Sequence, residues 1–226
     1  MDVCLAQPSD QVGISVLWQE VFGDSRDAVE QFFRFFPRCR SYVIRQQGQL
    51  LAMVHALPQT LSPDVPAAYL YAVATAPEHR GRGLCRRLMD FAQEDLRRQG
   101  VALTVLTPAT PSLFDFYAKM GYAPVFTRVQ HPFPGGTPIS AEDYLHLREQ
   151  VLRNTPHMVC DLQTLRYAAR VYGLTFYRTA DGCAAASGQR TLEVLPQDLG
   201  GAPFAMALWL RDPIPLNGAF PGFALD

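Results

Sequence analysis

The segment Arg80-Gly81-Arg82-Gly83-Leu84-Cys85-Arg86-Arg87 limits what this chain can be more than any other stretch. The apolar run Ala68-Tyr69-Leu70-Tyr71-Ala72-Val73-Ala74-Thr75 leads into it and reads as a strand, and an amphipathic run as far as Gln99 leads out and reads as a helix. Glycines let the backbone come close to a ligand. The first amides of a helix lack an internal acceptor, and the helix dipole favours negative charge there. Arg80, Arg82, Arg86 and Arg87 crowd the same turn, so it has the shape of an anion cradle. Spacing excludes two common phosphate loops. The triphosphate loop needs Gly-Lys-Ser/Thr, and the single lysine is Lys119; the dinucleotide fingerprint needs a third glycine where Arg86 stands.

After the helix, Val101-Ala102-Leu103-Thr104-Val105-Leu106-Thr107 reads as a buried strand. Thr110-Pro111 offers an N-cap and a proline at the first helical position, Leu113, Phe116, Tyr117 and Met120 follow at helical spacing, and Gly121 closes the element. The Arg80–Cys85 turn resembles the acyl-CoA pyrophosphate loop of the GNAT superfamily of N-acetyltransferases, with Cys85 in place of the final small residue. Phe116-Tyr117-Ala118-Lys119-Met120-Gly121-Tyr122 resembles that superfamily's second signature, a tyrosine four residues before a glycine followed by an aromatic.

The resemblance covers about residues 1–130 and implies a catalytic domain of α/β (α+β) class, with a mixed central sheet, flanking helices and the order β-α-α-β-β-β-α-β-α-β. Periodicity supports that order independently: a strand at Val3–Leu5, helices from Asp10 to Phe22 and on to about Phe36, and a hairpin of Ser41–Arg45 and Leu50–Ala56 around Gln47-Gly48. The resemblance also implies acetyl-CoA as cosubstrate. Backbone amides from Gly81, Arg82, Gly83, Leu84, Cys85 and Arg86, beside Arg80, would face the pyrophosphate; the backbone of Val73, Ala74 and Thr75 would pair with the pantetheine; and the Tyr117 hydroxyl would sit beside the CoA sulfur.

From His131 to Gly136 the composition shifts to a linker, and residues 137–226 form a smaller C-terminal α/β unit. Ser140 and Asp161 cap two helices, and short strands follow at Leu174–Thr179, Cys183–Ala186 and Thr191–Leu195. This unit reads either as a truncated second GNAT-like copy without its own pyrophosphate loop or as an unrelated α+β extension.

The formal net charge of −1 argues against a nucleic-acid partner. Cys4, Cys39, Cys85, Cys160 and Cys183 are scattered singly, without metal-ligand spacing, which points to no metal and to a reducing cytoplasm. No apolar run approaches the roughly 18 residues of a membrane span, so no membrane partner is expected. A homodimer stays open.

In the implied chemistry an amine attacks the thioester directly in a ternary complex. Tyr117 is the expected catalytic residue, donating to the departing thiolate. An aliphatic amine with a pKa of about 10.4 must lose its proton first; His55 and Tyr71 are candidate bases, with a satisfied core histidine the alternative for His55, a solvated carboxylate for Glu78, and a tail packed away from the chemistry for Asp226. Thr110 is either an N-cap or a CoA contact, and Cys85, at a helix start, either has a lowered thiol pKa or, since the chemistry needs no cysteine nucleophile, packs as a small residue. Phe32, Phe33, Phe35 and Phe36 wrap too far around a helix to be core alone. The acceptor is a primary amine, on a small molecule or a peptide. The alternative is a non-catalytic acyl-CoA-binding or regulatory module with the same fold.

Overall fold

A computed structural model describes residues 1–188, 190–196 and 201–216. Contacts divide the chain into two compact units that do not follow a single cut. The first holds Met1–Pro58, Pro66–Leu106 and Leu208–Asp212; the second holds Gln59–Val65, Thr107–Ala207 and the residues from Pro213.

The first unit is built from β1 (Asp2–Leu5), α1 (Gln11–Phe22), α2 (Arg26–Phe35), β2 (Arg40–Gln46), most of β3 (Gln49–Leu61) and β4 (Val65–Thr75), α3 (Leu84–Arg98) and β5 (Leu103–Leu106). Local chemistry sets the breaks. Gly23, at φ +75°, ends α1, and the Ser25 hydroxyl accepts the Ala28 amide to start α2. Gln47 and Gly48, both at positive φ, turn the β2–β3 hairpin. β1, β2 and β3 pair antiparallel, whereas β4 and β5 run parallel from Ala67↔Leu103 to Tyr69↔Val105, so the sheet is mixed. Leu51–Leu57 is buried without alternation, because both faces of the sheet are covered. Tyr42 meets Phe91 and Asp95 of α3 on one face; His55 meets Trp18 of α1 and Phe32 of α2 on the other.

The second unit contains α4 (Pro111–Ala118), β6 (Ala123–Arg128), β7 (Thr137–Ile139), α5 (Ala141–Leu152), α6 (Leu162–Tyr172), β8 (Thr175–Arg178), β9 (Cys183–Ser187), β10 (Arg190–Leu195) and β11 (Ala202–Trp209). Strands β10-β9-β8-β7 form an antiparallel sheet, with α5 and α6 packed over a core of Tyr144, Leu152, Leu165, Phe176, Ala185 and Leu195. Ser140 and Asp161 cap α5 and α6 as their sequence positions suggest. β11 pairs antiparallel with β6; its last residues belong to the first unit, where Leu210 N–H donates to Ala102 O beside β5.

The ten-element order expected through β6 is present. β7 and β11 were not expected. Ala202-Pro203-Phe204-Ala205-Met206-Ala207 carries alanine and proline where a strand signal needs β-branched residues, and its partner strand supplies what propensity does not. Among the described residues, no helix is long and apolar enough to cross a membrane.

Candidate active site

β4 ends in an unusual backbone. Ala72 has φ +48°, a conformation that strains any residue with a side chain, and it re-aims the strand just before Val73. β4 continues to Thr75 after its pairing with β5 has reached Tyr69↔Val105. Ala74 is buried, Val73 and Thr75 are half-buried, and the Ala76 amide donates to Leu51 O at 2.9 Å.

The glycine turn follows a single 3-10 turn at Pro77–His79. Gly81 and Gly83 take φ +73° and +72°, and a Cβ at either would meet no heavy atom within 4 Å. Gly81, Arg82 and Gly83 are all exposed, whereas Leu84 is buried and anchors the helix start. Gly83 is the N-cap of α3, and its carbonyl accepts the first helical bond from Arg87 N–H at 3.1 Å. The amides of Leu84, Cys85 and Arg86 therefore stand in the first turn, where a helix has no acceptor of its own. Among the described residues, nothing is packed over the turn.

Side chains brace this arrangement. Arg80 Nε donates to Thr75 O at 3.2 Å, which ties the turn to the strand end. Arg82 Nη1 lies 2.7 Å from His79 Nδ1; a guanidinium only donates, so that ring nitrogen accepts. Glu78 accepts a long 3.4 Å bond from Gln49 and stays exposed. Arg86 is exposed on the first turn of α3. Cys85 departs from the reactive alternative: burial pushes its thiol up to about 12, against the lowering effect of Arg86, so it packs as a small residue.

The first unit also holds both candidate bases. His55 is fully buried; its Nδ1 lies 2.7 Å from Ser41 Oγ, and its Nε2 has no hydrogen-bond partner. Trp18, Phe33 and Phe32 surround it with centroids at 5.0, 5.4 and 5.7 Å. Burial drives its pKa down to about 3, so this ring is neutral and does not open onto a cleft. Tyr71 is half-buried and stacks on Phe32 at 5.2 Å.

Tyr117 lies in the second unit, on the last turn of α4, with 7% of its surface exposed. Its ring meets Phe116 and Tyr122 edge-on, and its carbonyl accepts from the amides of Met120 and Tyr122 as the helix closes. Thr110 takes the N-cap position of α4, yet its hydroxyl lies 3.0 Å from Ser112 Oγ and caps no amide. Asp226 and the tail Phe220–Leu225 lie outside the described residues. Two contributors escaped the sequence. Ser41 could have been found only from the hairpin register, and an alanine with positive φ has no sequence mark.

The first unit thus combines a mixed α/β core with an open glycine turn at the front of α3. Residues 2–125 match the acetyltransferase (GNAT) domain family, and the chain belongs to that family. Among solved structures it is similar to a probable N-acyltransferase from Enterococcus faecalis, at 18% identity and TM-score 0.68, covering 92% of this chain and 72% of the other. A GCN5-related N-acetyltransferase from Kribbella flavida is similar at 18% identity and TM-score 0.67, with the same coverage, and one from Anabaena variabilis at 19% identity and TM-score 0.63, covering 81% of this chain and 53% of the other. No curated protein matches the sequence.

Proposed function

We propose that the protein transfers an acetyl group from acetyl-CoA to a primary amine by direct attack in a ternary complex. The observation that carries this is the exposed, left-handed turn at Gly81 and Gly83 in front of α3. In this role the amides from Gly81 to Arg86 take the pyrophosphate, with Arg80, Arg82 and Arg86 adding charge-assisted bonds. The edge of β4 at Val73, Ala74 and Thr75 takes the pantetheine amides as an added strand. The lone pair of the neutral amine attacks the thioester carbon, the C–S bond breaks as the thiolate receives a hydrogen bond from Tyr117, and the proton shed by the amine nitrogen passes through solvent to the thiolate, leaving the amide and free CoA thiol. A CoA thiol near 8.5 and a phenol near 10 make complete transfer of that proton uphill by about 2 kcal/mol, so donation during cleavage suffices.

Residues 1–130 serve as the acyl-CoA-binding and catalytic region in this proposal. The five cysteines are all free, which suits a reducing cytoplasm. The test follows free CoA thiol from acetyl-CoA over a panel of primary amines, with CoA binding measured by calorimetry. Turnover with any amine supports the transferase. Binding without turnover across the panel favours the non-catalytic module, and absence of binding removes both.

A further inference from the structure

His157 sits in the second unit, on the segment between α5 and α6, and is 3% exposed. Both of its ring nitrogens face oxygens that accept. Nδ1 lies 2.7 Å from the backbone carbonyl of Thr155, and Nε2 lies 3.0 Å from Oε2 of Glu149. A carbonyl never donates, and neither does an ionised carboxylate. A neutral imidazole has one N–H, so either tautomer would set a bare lone pair against an oxygen at hydrogen-bond distance. Only the ring carrying both protons satisfies both contacts. Burial alone would raise Glu149, but the hydrogen bonds and charges of His157 and Arg148 bring it below the usual carboxylate range.

His157 also grips the far end of the β3–β4 hairpin, mainly through its backbone. Ser62 N–H donates to His157 O at 2.8 Å, His157 N–H donates to Ser62 Oγ at 3.1 Å, and Ser62 Oγ lies 3.3 Å from Nδ1. Val159 N–H donates to Thr60 O at 2.8 Å, and Leu61 bridges Met158. The other charged groups around this ring are engaged. Arg148 of α5 bonds Glu149 Oε1 at 3.1 Å and both oxygens of Glu193 on β10, and Tyr144 of α5 donates to Glu193. On the hairpin tip itself, Asp64 is exposed.

We infer that His157 is a buried imidazolium clamp that holds the tip at residues 59–65 to α5 through Glu149. The tip is where β4 begins, and β4 ends at Val73–Thr75, so the device anchors the start of the strand whose other end is the cosubstrate edge in the proposed function.

The test uses the full chain labelled with ¹⁵N-histidine, the His157 signals being assigned by their loss in His157→Gln. At pH 7 two-bond proton–nitrogen spectra should show both His157 nitrogens protonated; one bare nitrogen would overturn the inference. Hydrogen exchange gives a second readout. Glu149→Gln, which keeps the shape and removes the charge, should raise exchange at the amides of Ser62 and Val159 roughly tenfold at pH 7. Equal protection in the two proteins at pH 7 would equally overturn it. If Glu149→Gln does not fold, the wild-type spectrum decides alone.

Discussion

Ser41 and His55 face each other across the β2–β3 hairpin, with Oγ 2.7 Å from Nδ1, and the pair lies beneath Trp18, Phe32 and Phe33. A histidine so enclosed is a structural member of the sheet, held neutral by the absence of water. Its folded pKa of about 3 lies below the unfolded value, so its contribution to stability is present above about 6.5 and lost as the pH falls toward 3. At pH 5 the loss should be about 2 kcal/mol. Urea unfolding of wild type and His55→Gln at pH 7 and pH 5 checks it. The wild type should weaken more on acidification, and parallel losses would mean that His55 does not titrate in this range.

Asp95 joins α3 to β2. Its Oδ2 accepts from the hydroxyl of buried Tyr42 and from Arg40 Nη2, both at 2.8 Å. Asp95→Ala strands the Tyr42 hydroxyl in the core and leaves Arg40 without its carboxylate. A loss of about 1–3 kcal/mol is expected, and the urea midpoint should move without a change in slope. A midpoint within error of wild type would show that water replaces the bond.

The glycine turn allows a controlled test of binding against strain. Gly83 and Gly48 have similar φ, +72° and +80°, and neither would bring a Cβ within 4 Å of another atom. Alanine at either position should cost about 1–2 kcal/mol of backbone strain. In the proposed function only Gly83→Ala should also weaken acetyl-CoA binding, by roughly tenfold, because it would displace the amides proposed to take the pyrophosphate. Equal affinities for the two variants by calorimetry would remove the turn from the site.

Much of the fold was readable because hydrophobic period and turn chemistry agreed element by element from Val3 to Arg128. The glycine turn before α3 was readable for a related reason, since Gly81 and Gly83 are needed for a backbone that other residues avoid. Long-range register was not. An unbroken hairpin from Gln46↔Gln49 would set Ser41 opposite Val54, but a shift between Ile44 and Arg45 sets it opposite His55. One extra residue in a strand leaves no mark in the sequence, yet it decides which polar groups meet. β11 escaped for a different reason: its partner strand, not its own propensity, holds it in place.

Cys85 stands at the front of α3, where a thiol would ordinarily be activated, but burial outweighs the helix and Arg86 and lifts it to about 12. At pH 8 it should resist iodoacetamide in the native protein and react only after denaturation. Cys85→Ala should keep full transferase turnover, since direct attack by an amine needs no thiol nucleophile. Mass spectrometry of alkylated peptides reads the first outcome. Rapid native labelling would show that the pocket around Cys85 opens.

Tyr117 separates catalysis from binding. Its ring is packed against Phe116 and Tyr122, so Tyr117→Phe keeps the apolar contacts of α4 and removes only the hydroxyl. If that hydroxyl donates to the sulfur as the C–S bond breaks, the interaction belongs to the transition state. kcat should then fall about 10²-fold while the affinity for acetyl-CoA stays near wild type. A hydroxyl that merely fastened α4 would give the opposite result, a lower urea midpoint with unchanged kcat. The leaving group supplies a further check: a thioester whose thiol is more acidic than CoA needs less help to depart, and should recover part of the lost rate in Tyr117→Phe. An equal deficit for both thioesters would place Tyr117 outside the bond-breaking step.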